Sequence, residues 1–206
     1  MINFEHTNVM NIENAFRGMR NPLNSWGKSD SYYDETQYIL GTQDLQLAKN
    51  LIVGGTEHRK FLRQIFVSVD ITAPLYWWKQ FDTYKINTTS NSCSTMHKIH
   101  SKEFGTDDFS YEDMSKGGLE CLSYMIETLN LARNFYLKKK NKEYWFDMIK
   151  LLPESYNQKR TITMNYENIL NMCAQRKGHK LKEWEGFREW AKTLPYSKEL
   201  IFLKES

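Results

Sequence analysis

Nowhere in the chain does an apolar run approach the roughly 20 residues that a membrane-spanning helix needs. The opening MINFEHTNVM also lacks the basic segment and apolar core of a secretory leader. These two absences predict a protein with no membrane partner and a cytoplasmic location. Cysteine is sparse as well: Cys93, Cys121 and Cys173 are the only three, with no C-x-x-C spacing, which argues against a disulfide framework and against a zinc site. His97 and His100 form an H-x-x-H pair with no Glu between them and no third ligand, so no metal is expected. The Asn-x-Thr sequon at Asn87 reads as fortuitous in a chain without a secretory route. Charge of one sign is scarce too. A formal net charge of +3 is far below what a protein tracking a phosphate backbone concentrates on one face, so nucleic acid is not the expected partner. Only four prolines occur, no Pro/Gly-rich linker or repeat interrupts the chain, and its 206 residues suit one compact domain over 1–206.

What the chain has in quantity is aromatic side chains, 6 Trp, 12 Tyr and 11 Phe, enough to build a core of large rings. Leu47 and Leu51 recur at helical spacing between Asp44 and Val53, with Asp44 able to cap the start and Gly54-Gly55 able to stop the end. From Ile65 to Ile71, IFVSVDI alternates Ile65, Val67, Val69 and Ile71 against Phe66, Ser68 and Asp70, which predicts a strand with one apolar face. Pro74 then suits the first turn of a helix over 73–84, because its missing N–H would be unpaired there anyway. TTSNSCSTMHK, at 88–98, has no apolar periodicity; it is either a plain surface loop or a ligand-facing one rich in hydroxyl and amide groups. Helices are expected over 118–139 and 142–151, a strand over 158–165, a helix over 166–176 and an amphipathic helix over 181–194. In the last of these, Leu181, Trp184, Phe187, Trp190 and Ala191 share one side, and its tryptophans read as core. The fold class is α+β, a small, mainly antiparallel sheet packed with helices.

Two stretches resemble the flavin-dependent thymidylate synthase (ThyX) family. LPESYNQKRTITMNYENILNMCAQR, running to Arg176, has the family's L-P pair, a strand ending T-x-N, then a helix with a second Asn and an Arg, at the separations of Pro153, Asn165, Asn171 and Arg176. HRKFLRQIFVSVDITAPLYWWKQF, from His58 to Phe81, resembles the family's His, strand, A-P pair and helix bearing a Gln. The resemblance covers most of the chain from Asp44 to about Ala191 and is loose over the first 43 residues. It departs at the family's R-H-R-x-x-S-x-N-E-x-x-S-x-R-Y signature. With one inserted residue, Asn91 and Ser94 take the signature's Asn and Ser. Tyr84-Lys85 replaces the arginine pair, Ser92 the Glu, Met96-His97 the Arg-Tyr, and Ile149 an Arg before the L-P pair.

The resemblance implies that FAD is held by His58, Tyr84, Lys85, Asn165 and Asn171. It implies that a pyrimidine nucleotide such as dUMP meets Gln80, Asn91, Cys93, Ser94 and Arg176, with Arg176 as the catalytic group. It further implies methylenetetrahydrofolate and NADPH as co-substrates and a homotetramer. Chemically, a guanidinium suits a pyrimidine carbonyl because it offers planar, permanently charged donors, while the alternative for Arg176 is a helix-end Arg serving the last carbonyls before Gly178. Cys93 beside Lys85 and His97 could be a nucleophile or a small filler. The altered signature leaves a second functional reading, a catalytically degenerate relative that binds a nucleotide or a protein partner without synthase activity.

Overall fold

The computed structural model describes residues 2–205. In chain order it contains strand β1 (Asn3–Met10), helix α1 (Ile12–Met19), the short strands β2 (Tyr32–Tyr33) and β3 (Tyr38–Ile39), helix α2 (Thr42–Val53), strand β4 (Phe66–Pro74) and helix α3 (Leu75–Phe81). Then come β5 (Thr89–Ser92), α4 (Lys116–Lys139), α5 (Lys142–Lys150), β6 (Asn157–Asn165), α6 (Tyr166–Gln175), α7 (Lys182–Lys192) and α8 (Ser197–Leu200). The main sheet is small and mainly antiparallel, in the order β1-β4-β6-β5, and β2 pairs with β3 in a separate antiparallel ribbon, Tyr32 opposite Ile39 and Tyr33 opposite Tyr38. The α+β architecture is therefore the one the sequence pattern implies. The described chain forms two compact units, one built mainly on Ile71–Thr83 and Asn91–Thr161, the other on Phe4–Asp70, Tyr84–Ser90 and the chain from Ile162.

In the first unit, Ile99, Phe104, Phe109, Leu122, Leu129 and Met148 form one buried cluster, and Trp77, Trp78 and Phe81 stack within α3's apolar face. Helix α3 is shorter than the pattern suggests, and Pro74 ends β4 in an extended conformation as the residue before the helix. The amides that open α3 are instead satisfied by the L-P loop: Leu75 N–H donates to the Tyr156 carbonyl at 3.0 Å and Tyr76 N–H to the Glu154 carbonyl at 3.1 Å. Unpaired first-turn donors need such partners, so the A-P and L-P segments are structurally coupled although about 80 residues of sequence lie between them. The polar segment 88–98 carries β5, which the absence of apolar alternation had hidden.

In the second unit the core is Phe16, Ile52, Leu62, Ile65, Tyr166, Ile169, Met172, Trp184 and Phe187. Helix α2 begins two residues before Asp44, and Asp44 is not its cap. Its carboxylate is buried and accepts from Arg20 Nε at 2.6 Å and from the hydroxyls of Ser29 at 2.6 Å and Ser31 at 2.5 Å. Burial alone would raise this carboxyl, and the two serines together with the Arg20 guanidinium reverse that and hold it below the usual carboxylate range. Asp30 does the capping, its two oxygens accepting from the Gln43 N–H at 2.9 Å and the Asp44 N–H at 3.1 Å. At the far end Gly55, with φ +99°, leaves the helix as the sequence suggests.

Asp30 reaches the α2 amides only because Gly41 has no side chain: a Cβ there would lie 2.1 Å from Asp30 Cγ and 2.4 Å from the Asp30 carbonyl oxygen. Gly41→Ala is expected to cost about 1–3 kcal/mol, because backbone has to move to relieve the overlap. Gly117→Ala, where a Cβ meets nothing within 4 Å in the first turn of α4, should leave stability unchanged or raise it by up to about 1 kcal/mol. Chemical denaturation of both variants measures the contrast.

Candidate functional site

Helix α6 carries the polar side chains of the candidate site, and its own start explains one of them. Asn165 is the N-cap: its Oδ1 accepts the Asn168 N–H at 2.9 Å while Asn168 Oδ1 accepts the Asn165 N–H at 3.2 Å, a reciprocal cap at a buried strand-to-helix junction. The first turn is pinned by Glu167, whose buried carboxylate accepts from Arg59 Nε at 3.0 Å and from Arg63 Nε. Both arginines sit at a 3-10 turn, Lys60–Gln64, and its preceding residue. Burial would raise the Glu167 carboxyl, but the hydrogen bonds from Arg63 and Arg59 outweigh it and keep the group below its ordinary value. Arg59 uses a second nitrogen, Nη2, to donate to Asn171 Oδ1 at 3.1 Å. The oxygens of both candidate asparagines are thus committed to protein. Their NH2 groups have no hydrogen bond among the described residues and remain as donors.

The segment that replaces the expected arginine pair is fastened along the same helix. Asn168 Nδ2 donates to the Ile86 carbonyl at 2.9 Å, and Tyr84 Oη donates to Gln175 Oε1 at 3.0 Å. Asn168 and Gln175 stand seven residues apart, roughly 10 Å along a helix, so Tyr84, Lys85 and Ile86 are clipped at both ends. Tyr84 Oη also accepts from Arg176 Nε at 2.9 Å. The Arg176 guanidinium lies 4.8 Å from the Trp184 ring centroid and 5.5 Å from that of Tyr84, an arrangement that orients a planar cation. It makes no hydrogen bond to a helix-end carbonyl, and its two terminal nitrogens have no partner among the described residues. Lys85 is exposed and has no ion pair among the described residues.

His58 is exposed, its ring resting over Gly54, and it lines a cleft of about 580 Å³ with Met19, Leu23, Leu47, Leu51 and Phe61. Half of that lining comes from the first 43 residues, where sequence comparison is weakest. The remaining candidates belong to the other unit. Gln80 is half-buried on α3, and Asn91 is exposed on β5. Cys93 is exposed, its N–H donating to the Lys159 carbonyl at 2.9 Å and its carbonyl accepting from Gln158 Nε2 at 2.7 Å. Ser94 Oγ accepts the amides of Met96 at 3.1 Å and His97 at 2.9 Å, a local turn. The structure brings Tyr84, Lys85, Asn165, Asn171 and Arg176 onto one helix and the segment clipped to it. Residues that sequence reading did not single out, Asn168, Gln175, Arg59 and Glu167, are what hold them. Only the N-x-x-N capping pattern at Asn165 offered a signal for any of these.

No protein-family model matches the chain, and no curated protein sequence matches it. Solved structures do. ThyX of Helicobacter pylori, crystallised with FAD and dUMP, superposes with a TM-score of 0.67 over 97% of this chain and 96% of that one, at 16% identity. The UMP/dUMP methylase PolB of Streptomyces cacaoi, bound to 5-Br dUMP, superposes with a TM-score of 0.64 over 98% and 95%, at 14% identity. The chain has a ThyX-like fold.

The Glu167 grip carries a pH signature. A carboxyl held low in the folded state stabilises the fold fully above its unfolded value of about 4.3 and loses that contribution as the pH falls through the folded value. Glu167→Gln should cost about 2–3 kcal/mol near neutrality, since Arg59 and Arg63 lose a charged acceptor. Denaturant midpoints for both proteins should converge as the pH falls below the unfolded value of about 4.3; parallel curves would contradict the assignment.

Proposed function

We propose that the protein is a ThyX-like flavoprotein of pyrimidine nucleotide metabolism, a methyltransferase-type enzyme acting on C5 of a uracil nucleotide such as dUMP, its residues 1–206 serving as one ThyX-like domain. The observation that carries this reading is the near-complete superposition on proteins crystallised with FAD and dUMP or with 5-Br dUMP, taken together with Arg176. Its two open terminal nitrogens, on a guanidinium fixed by Tyr84 and Trp184, suit a pyrimidine carbonyl and the negative charge that develops there when a nucleophile adds to the ring. The free NH2 group of the half-buried Asn171 fits a carbonyl oxygen of a flavin ring, while Asn165, buried as the cap of α6, is assigned to the flavin on the resemblance. Reduced FAD would supply hydride, with methylenetetrahydrofolate as one-carbon donor and NADPH as reductant. Gln80, Asn91, Cys93 and Ser94 are assigned to the nucleotide, and His58, Tyr84 and Lys85 to the flavin.

A second reading has its own support. Tyr84, at the place of a family arginine, spends its hydroxyl on Arg176 and Gln175, and Lys85 is the one cation of that pair. A scaffold that binds a nucleotide without flavin chemistry fits that change. The visible spectrum of freshly purified protein separates the two: flavin absorbance, or quenching of added FAD fluorescence, supports the enzyme, and a colourless protein that quenches nothing overturns it.

Arg176 offers a sharper test. Arg176→Ala should weaken dUMP binding roughly tenfold or more, the equivalent of about 1.5–3 kcal/mol for a lost charged hydrogen bond. Arg176→Lys should fail nearly as badly, because an ammonium keeps charge but loses the fork. Calorimetric titration of both variants measures this, and unchanged affinity in Arg176→Ala would remove the residue from the site.

We further propose a homotetramer. Leu119, Tyr124 and Leu131 of α4 and Phe146 of α5 are exposed large apolar side chains, a surface that association would cover. Light scattering at micromolar concentration should return the mass of four chains; the mass of one would contradict it.

A further inference from the structure

The turn from α6 into α7 builds a second polar cleft that shares only Arg176 with the nucleotide reading. It measures about 290 Å³ and is walled by Arg176, Lys177 and His179 on the turn side and by Arg188 and Lys192 of α7. Glu185 and Glu189 also line it, and Glu205 pairs with Arg188 at 2.8 Å. Lys192 is likewise engaged, 2.5 Å from Glu189. Those pairs leave three donors in hand. The terminal nitrogens of Arg176 are open, and Lys177 Nζ pairs with Glu205 at 3.7 Å, an ion pair too long for a hydrogen bond, so its three N–H donors are unspent. The third is His179. Its Nδ1 accepts the Leu181 N–H at 3.1 Å, which puts the proton of the neutral ring on Nε2 and makes that nitrogen a donor without a partner among the described residues. Gly178, at φ +67°, supplies the left-handed turn that sets Lys177 and His179 on either side of it.

We propose that this cleft is a binding site for a phosphate group, with Lys177 and His179 as its principal ligands and Arg176 at its rim. Three donors on separate residues suit a tetrahedral oxyanion, whereas a planar carboxylate would be served by a single guanidinium fork. The competing account is that these cations only offset the partial negative charge at the C-terminal end of α6, in which case the cleft has no affinity for anions beyond general screening. Lys177 and His179 play no part in the pyrimidine reading, and Arg176 is the one residue that the two share. The phosphate can be free or can be carried by a nucleotide.

The test is calorimetric titration of the full chain, as wild type and as the Lys177→Ala/His179→Ala double variant, with inorganic phosphate, UMP and uridine. Wild type should bind inorganic phosphate at millimolar concentration or below, and the double variant should bind it at least tenfold more weakly while melting within a few degrees of wild type. If UMP binds wild type more tightly than uridine and that advantage is lost in the double variant, the nucleotide supplies the phosphate. An equal affinity for UMP and uridine, with phosphate binding intact, assigns the site to free phosphate. No phosphate binding by wild type, or an unchanged dissociation constant in the double variant, overturns the proposal. Should the double variant unfold, the Lys177→Ala single variant, altered only at an exposed side chain, carries the same comparison. Failure of the pyrimidine reading is seen separately, as absent uridine and dUMP binding to a wild type that still takes phosphate.

Discussion

The position of α6 depends on one carboxylate. Glu167 sits in the helix's first turn, buried, with Arg59 and Arg63 donating to it from the turn that precedes β4. A buried ion pair contributes little net stability when desolvation is counted, but leaving one partner behind is expensive. The value of such a contact is therefore positional: it admits one register of α6 against that turn and penalises others. The Tyr166 N–H, donating to the Ile65 carbonyl at 3.0 Å, fixes the same end of the helix through backbone. The direction and depth of Asn165, Asn171 and Arg176 follow from that register. A slip of one residue would rotate all of them by about 100° about the helix axis.

The other end of α6 is held by rings. Trp184 is fully buried beside Phe187, and the Arg176 guanidinium lies over its face. An ammonium, compact and strongly hydrated, would gain little from that surface, whereas a weakly hydrated planar cation is ordered by it. Aromatic abundance, read from composition as core material, thus has two uses here. Many of the large rings fill the interior, and two of them, Tyr84 and Trp184, aim a charge.

Legibility in the sequence followed how local each cause was. Strands β4 and β6 and helices α4 to α7 were readable because alternation and helical spacing are written in neighbouring residues, and their bounds differ from the pattern by at most three positions. Asp44 was misread because an Asp near a helix start satisfies the capping pattern, and its real partners, Arg20, Ser29 and Ser31, lie 13 to 24 residues away. β5 was missed because TTSNS has no apolar face to announce a strand. Arg176, Asn165 and Asn171 were singled out through the resemblance and its spacing, and the fold sets them along α6, but the residues that hold them carried no such signal. Glu167 and Arg59 look like ordinary surface charges until the fold sets them side by side, 108 positions apart.

Tyr84 restricts how the Arg176 guanidinium can be approached. A free guanidinium can be approached along its Nε edge or end-on at its two terminal nitrogens, and carboxylates and phosphates use both edges. Here Tyr84 Oη occupies Nε, and its own proton is committed to Gln175, so the hydroxyl cannot turn away to make room without breaking a second bond. Only the end-on approach remains. That geometry selects acceptors that can meet two parallel N–H groups in the plane of the guanidinium, such as a pyrimidine carbonyl oxygen, whose two lone pairs lie in the plane of the ring. A bulky tetrahedral group seeking the side edge is disfavoured, unless other donors carry most of its charge. Any selectivity of Arg176 for an acceptor is accordingly set by the tyrosine as much as by the arginine, through the edge it closes.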